Sequence, residues 1–257
     1  MIELVDTHVH FHFPDYDSDR DEVIHHAQEA GVRYFVNVGT NLETSEKSLE
    51  LAKRRPEFFA TAGVHPHDAK DASEDELKAI RKLIDEKRMV AIGEVGLDFF
   101  RNLSPEDIQI KIFERFLQMH VDTGKPLVIH CRDAYAKMAE VLKHFRQGAF
   151  QGVMHCFSSD KETMFRFLDL GFHISFAGPL TYKKNDVLRE ACRTCPKESL
   201  LLETDAPFLP PESFRGKRNE SSYLVHTAEM AAKTRVVPLE ELCEQTTRNA
   251  IRLFGLC

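Results

Sequence analysis

The chain has 257 residues, a formal net charge of −7 and 42% apolar residues. That length suits one large domain, and the apolar share is enough to fill its core. The acidic balance excludes a protein that coats nucleic acid through bulk charge, but not one that admits an anion through metal ions and a local basic loop. The first apolar run, LVDTHVH at 4–10, reads as a strand carrying His8 and His10. Side chains two apart in a strand share a face, and two imidazoles held that way can grip a metal ion. Taken alone, an H-x-H pair equally fits a strand with a polar face. Seven further β-rich runs follow, at 33–40, 58–66, 89–98, 126–133, 152–158, 172–178 and 200–208. Their spacing leaves room for a helix between neighbours. The clearest helical pattern spans 104–124, with Ser104 as cap, Pro105 in the first turn and Gly124 at the end. Ile108, Ile112, Phe113, Phe116 and Leu117 form its apolar stripe. Further helices are expected at 71–88 and around Asp186.

Eight strands alternating with helices predict an α/β fold, a single (β/α)8 TIM-type barrel spanning 1–257, with a metal site at the C-terminal mouth of the strands. The rival is an open doubly wound sheet. His8 and His10 end the first run, His65 the third, Glu94 the fourth, His130 the fifth, His155 the sixth and Asp205 the eighth. A barrel gathers such ends at one mouth, whereas an open sheet strings them along an edge. Four imidazoles and two carboxylates suffice for two divalent ions with one carboxylate shared. Each residue also has a plainer use: a packed histidine, a turn glutamate after Gly93, or a helix-capping aspartate.

The six cysteines, Cys131, Cys156, Cys192, Cys195, Cys243 and Cys257, are scattered. The Cys192-x-x-Cys195 pair has no second such pair beside it, so all six read as reduced thiols. No apolar run reaches membrane-spanning length and no secretory pattern is evident at the start, so the expected location is the cytoplasm, with no membrane partner and no obligate protein partner.

The stretches VDTHVH, GVHPHD, IGEVGLDF, PLVIHCRDA, HCFS, GFHISFAGPLT, LLLETDAPFLPP and TTRNAIRLF run in order over nearly the whole chain. Together they resemble the TatD-type metal-dependent hydrolases and deoxyribonucleases, within the amidohydrolase-like barrels. The resemblance implies metal-dependent hydrolysis of DNA phosphodiesters, commonly as a 3′-to-5′ exonuclease. It implies metal ligands at His8, His10, Glu94, His130, His155 and Asp205, and further active-site positions at His65 and Glu203. Many related barrels carry a modified lysine where Glu94 stands, which favours the TatD-type branch. Two positions depart from the family pattern. Phe-His-Phe follows the H-x-H pair where leucine is common, and His12 is expected to be a rim residue on the His10 face. Val95 stands where threonine is common, on the face opposite Glu94.

Combining resemblance with strand alternation, His8, His10 and Asp205 hold one ion, His130 and His155 the other, and Glu94 bridges. Mg, Mn and Zn are the candidate metals. Ions about 3.5–4 Å apart can clamp a phosphodiester and activate a water. Asp205 or Glu203 takes or relays the proton, and His65 contacts the phosphate or the leaving oxygen. Arg132 is a candidate phosphate ligand. Arg215, Lys217 and Arg218 make a basic cluster after the eighth run, where barrel loops often bind phosphate, and Tyr182-Lys183-Lys184 can add a stacking ring and charge. The expected substrate is DNA, single-stranded or at frayed ends. The alternatives are hydrolysis of an amide, lactone or ester, and a non-catalytic nucleic-acid-binding barrel.

Overall fold

The computed structural model describes residues 2–145 and 148–256, and Cys257 lies outside them. Strands and helices alternate: β1 Leu4–Val9, α1 Arg20–Glu29, β2 Val32–Val38, α2 Leu42–Arg54, β3 Phe58–Ala62, α3 Glu74–Ile84, β4 Met89–Asp98, α4 Glu106–Thr123, β5 Leu127–Arg132, α5 Tyr135–Phe145, β6 Gly152–Met154, α6 Lys161–Leu168, β7 Phe172–Phe176, α7 Asp186–Thr194 and β8 Leu200–Leu202, then α8 Leu224–Arg235 and α9 Leu239–Phe254. All eight expected strands are present and form one sheet in the order β1 to β8. β8 returns to β1: Asp205 N–H donates to His8 O at 2.9 Å, and His10 N–H donates to Ala206 O at 2.9 Å. The fold class is (β/α)8, as expected. The chain packs as two compact units, one of Met1–Asn37, Cys156–Phe165 and Ile174–Cys257, the other of Val38–His155 and Arg166–His173.

In the first unit, a buried carboxylate ties β1 to the chain after β8. Asp6 is wholly buried. Its Oδ2 accepts from Thr204 Oγ1 at 2.6 Å and Ser221 Oγ at 2.5 Å, and its Oδ1 accepts from Thr204 N–H at 3.0 Å. Burial pushes the Asp6 carboxyl up to about 7, with the hydrogen bonds opposing. Asn219, also wholly buried, donates from Nδ2 to Thr204 O at 2.9 Å and Phe208 O at 2.6 Å. The Tyr16 hydroxyl in turn donates to Asn219 O at 2.7 Å. At the other end of β8, Asn249 on α9 donates to Lys197 O at 2.7 Å and Leu200 O at 2.8 Å.

In the second unit, two glycines let β4 approach β5. A Cβ at Gly93, with φ +153, would stand 2.6 Å from Val128 O, and one at Gly96, with φ +143, would stand 2.0 Å from His130 O. The GEVG motif therefore owes both glycines to close backbone contact. α4 buries Ile112, Phe113, Phe116 and Leu117, each contributing roughly 1.5–3 kcal/mol. Gly124 ends α4 in the left-handed conformation, as the sequence suggests. Ser104 does not cap α4. Pro105 occupies the cap position without a side-chain bond. Ser104 is wholly buried; it donates to His67 O at 2.8 Å and accepts from Lys70 N–H at 3.0 Å, so its hydroxyl satisfies the 3-10 turn Pro66–Asp71 instead. Ser73 caps α3, accepting from Glu76 N–H at 3.1 Å.

Among the described cysteines, Cys131, Cys156, Cys192, Cys195 and Cys243 are free thiols, as expected. Burial pushes Cys192 and Cys195 up to about 12 each, which keeps them protonated. Among the described residues, no helix is long and apolar enough to cross a membrane.

The Asn249 amide fastens the start of β8 through two carbonyls. Asn249→Ala leaves the buried Leu200 carbonyl without that donor and is expected to destabilise the fold by about 2 kcal/mol. Urea unfolding followed by circular dichroism measures the loss, and an unchanged midpoint would remove Asn249 from the framework.

Candidate metal centre

Two donor sets are built, one within each unit. In the first unit, His8 is the fifth residue of β1 and His10 follows the strand's end. Strand alternation turns both the same way, and their Nε2 atoms stand 3.2 Å apart. Asp205 Oδ1 lies 3.7 Å from His8 Nε2 and 3.6 Å from His10 Nε2. Asp205 adopts φ +58, a left-handed conformation that aspartate tolerates. Two nitrogens bound to one tetrahedral ion at about 2.1 Å stand roughly 3.4 Å apart. Two imidazoles and a carboxylate at these separations fit a divalent ion, and all three residues are buried.

In the second unit, Glu94 lies within β4, and its Oε1 faces His130 Nδ1 at 2.9 Å, His155 Nε2 at 3.0 Å and His65 Nε2 at 3.5 Å. His65, Glu94 and His130 each offer a ligand atom within 4.8 Å of the others. This is a buried histidine and carboxylate cluster able to bind metal. His130 Nε2 points the other way, to Asp98 Oδ2 at 3.0 Å, and His67 Nε2 meets the same oxygen at 3.0 Å. Gln109 of α4 grips the Asp98 backbone, accepting from its N–H at 2.8 Å and donating to its carbonyl at 3.1 Å. Burial works to raise the Asp98 carboxyl, but bonds from His130, Arg101 N–H and His67 outweigh it and hold the group well below the usual carboxylate range. Burial likewise opposes charge on His130, while Asp98 and Glu94 outweigh it and raise that imidazole. A histidine whose far nitrogen donates to a carboxylate presents its near nitrogen to a metal, and Asp98 supplies that support here.

His65 differs in kind. Its Nδ1 accepts from His67 N–H at 3.1 Å. The proton of the neutral ring therefore sits on Nε2, the nitrogen facing Glu94. Burial, and after it the neighbouring His130, push His65 down to about 4, so the ring is neutral near pH 7.

Glu203 is wholly buried just past β8, and its Oε1 accepts from Cys156 N–H at 2.7 Å. Arg132 is exposed and its guanidinium covers the Phe100 ring at 3.8 Å. Arg215 lies over the Tyr182 ring at 4.6 Å and 3.7 Å from Glu212 Oε2; Lys217 lies 5.8 Å from the Phe214 ring. Arg218 does not share their freedom. It is ion-paired to Asp19 at 2.6 Å and stacked on Tyr16, so it anchors the loop to the N-terminal segment. His12 is not a rim residue. β1 ends at Val9, the chain turns, and His12 is buried with its Nδ1 accepting from the Asn37 amide at 3.0 Å. The Asn37 carbonyl oxygen is taken by Phe11 N–H at 2.7 Å, which fixes the amide's orientation. Three residues of consequence were not anticipated: Asp6, Asp98 and His67. Strand period two marks Asp6 beside His8 and Asp98 beside Glu94, and H-P-H marks His67 beside His65.

The profile of the family described as TatD related DNase matches residues 5–255. The chain belongs to this family. It is 39% identical over 253 residues to the metal-dependent hydrolase YabD of Bacillus subtilis, with 98% of this chain and 99% of that one covered. It is 38% identical over 245 residues to the 3′-5′ ssDNA/RNA exonuclease TatD of Pantoea ananatis, covering 93% and 94% of the two chains. The crystal structure of the TatD homologue YjjV from Escherichia coli superposes with a TM-score of 0.93 at 29% identity, covering 99% of this chain and 98% of that one. This TatD-family chain is thus a metal-dependent hydrolase by family, with donor sets suited to the cofactor.

Asp98→Asn removes the charge that meets both His130 and His67. Metal affinity is expected to fall 10- to 100-fold, the usual effect of losing such a supporting carboxylate, while the far-ultraviolet spectrum stays unchanged. Competition against a chromogenic chelator measures it, and an unaltered affinity would separate Asp98 from metal binding.

Proposed function

We propose that the protein is a metal-dependent nuclease that removes nucleotides from DNA in the 3′-to-5′ direction, preferring single strands or frayed ends. In this reading His8, His10 and Asp205 serve one divalent ion, His130 and His155 serve a second, and Glu94 is shared. Mg, Mn and Zn fit such oxygen and nitrogen donors. The observation that carries the reading is Glu94 Oε1, which faces two imidazole nitrogens at 2.9 and 3.0 Å from the position where related barrels carry a modified lysine. The Pantoea relative supports the choice of substrate.

When bound, the ions acidify water to near neutrality and neutralise charge on phosphoryl oxygens. The chain's own residues do the rest. We assign Asp205 to accept the proton of the attacking water. Glu203, held by the Cys156 amide, is the buried carboxylate that relays it to the 3′ oxygen of the shortened strand as the P–O bond to the departing nucleotide breaks. His65, neutral and protonated at Nε2, acts as a hydrogen-bond donor to a phosphoryl oxygen rather than as an imidazolium acid. Arg215, Lys217 and Arg132 contact phosphates further along the strand. Arg215 and Lys217 rest against aromatic faces, which limits the side-chain entropy lost when a phosphate is bound.

The direct test is metal analysis of the purified protein, followed by gel assay of end-labelled single- and double-stranded DNA with each metal. Shortening from the 3′ end supports the proposal; turnover of small esters or lactones without any cleavage of DNA overturns it. Glu94→Gln keeps the side chain's size and removes its charge. The variant is expected to fold, to lose at least one metal equivalent and to lose most activity. Near-normal turnover at saturating metal would reject the shared role.

Replacing Arg215 and Lys217 with alanine together should weaken binding of a long strand and lower its log–log salt slope by roughly 1.4, at about 0.7 per phosphate contact. Hydrolysis of a small chromogenic diester should persist. Equal losses on both substrates would contradict a role confined to strand binding.

A further inference from the structure

Few phenylalanines in this chain stand in water. Of the 19 in the sequence, Phe100, Phe165 and Phe208 are the strongly exposed ones among the described residues. Phe208 is 50% exposed and lies three residues beyond Asp205. Its backbone is held on both sides: Phe208 N–H donates to Asp205 O at 2.8 Å, and Asn219 Nδ2 donates to Phe208 O at 2.6 Å. The ring is also backed. Phe13 stacks on His10 at 4.8 Å and 14°, and Phe208 stands edgewise to that pair, 5.9 Å from Phe13 and 6.1 Å from His10. A rigid backbone thus presents an aromatic ring to solvent within one ring's width of a metal-donor histidine.

We infer that Phe208 is a base-stacking step, taking the face of a nucleobase in a strand whose phosphate is held at His8, His10 and Asp205. The inference rests on the nuclease reading above and extends it to a residue with no hydrolytic part. Three chemistries follow one another on a single segment: the donor carboxylate of Asp205, the ring of Phe208, then the cations Arg215 and Lys217. Aromatic rings beside a cationic track are the components of sequence-tolerant single-strand binding, because every base has a π face. The strongly exposed apolar side chains here are Phe208 and its neighbour Leu209, one ring and one short aliphatic chain. That suits a flat base and is too small for a protein interface.

The test is a cycle of protein and substrate changes. Metal-loaded wild type, Phe208→Ala and Phe208→Tyr are titrated by fluorescence anisotropy with 5′-labelled single strands made cleavage-resistant by phosphorothioates at the 3′ end. One strand carries normal bases, the other abasic sites in its last three nucleotides. Phe208→Ala is expected to bind the normal strand roughly 5- to 150-fold more weakly, the range for losing one base–aromatic stack. The abasic strand should bind both proteins alike, and Phe208→Tyr, which keeps the ring, should behave as wild type. Metal content, measured alongside, should match across the three proteins. Equal weakening on both strands, or no weakening on either, overturns the inference while 3′ shortening by wild type leaves the nuclease reading standing. Failure of wild type to bind or shorten any strand overturns both.

Discussion

A carboxylate with no contact with water, Asp6, joins residues almost 200 positions apart in the chain. Burying such a group is costly unless it is fully hydrogen-bonded. Thr204 and Ser221 supply the bonds, and the cost of the buried charge is visible in a carboxyl raised to about 7. Its effect is positional. Asp6 lies two residues before His8, and Thr204 immediately precedes Asp205. Fastening one to the other brings the His8–His10 pair and the Asp205 carboxylate to within 3.7 Å of each other. The tie reinforces the backbone bonds from Asp205 N–H to His8 O and from His10 N–H to Ala206 O, which join the same two stretches.

The second donor set is built on the same plan with different parts. Asp98 meets His130 and His67 through one oxygen, and Gln109 holds the Asp98 backbone from α4. In each set, a buried aspartate that is not itself one of the candidate donors holds those that are. The polarity differs. Asp6 is satisfied by neutral hydroxyls and is raised, whereas Asp98 is satisfied by imidazoles and lies far below the usual range. Hydroxyl partners favour the charged form less than partners that can themselves carry charge.

The strands were legible in the sequence because each is a short β-rich run, and the (β/α)8 class because a helix fits every gap. Most candidate donors were legible because they close those runs; Glu94 instead lies inside β4, four residues before its end. Their supports were harder to see. Asp6 and Asp98 lie inside the quoted motifs, but a motif does not say whether a carboxylate faces an ion or a threonine. His12 continues the alternation of His8 and His10 on paper; the strand stops at Val9, so alternation no longer governs where it points. Ser104 had the spacing of a helix cap, yet a nearer unsatisfied backbone turn claimed its hydroxyl. Arg218 read as one of three loop cations, and only its pairing with Asp19 sets it apart. Each miss is a competition between local pattern and a long-range partner, and the partner won.

The segment from Thr204 to Asn219 is fixed at both ends. Thr204 is held by Asp6, and Asn219 by the Tyr16 hydroxyl. Between them, Arg215 and Lys217 flank Gly216, whose φ of +84 is one that glycine alone adopts readily. The exposed side chains at 215 and 217 can be exchanged with little disturbance to the anchored Asp205. The surface chemistry of this loop can therefore change while the ties at Thr204 and Asn219 keep the Asp205 carboxylate in place beside His8 and His10.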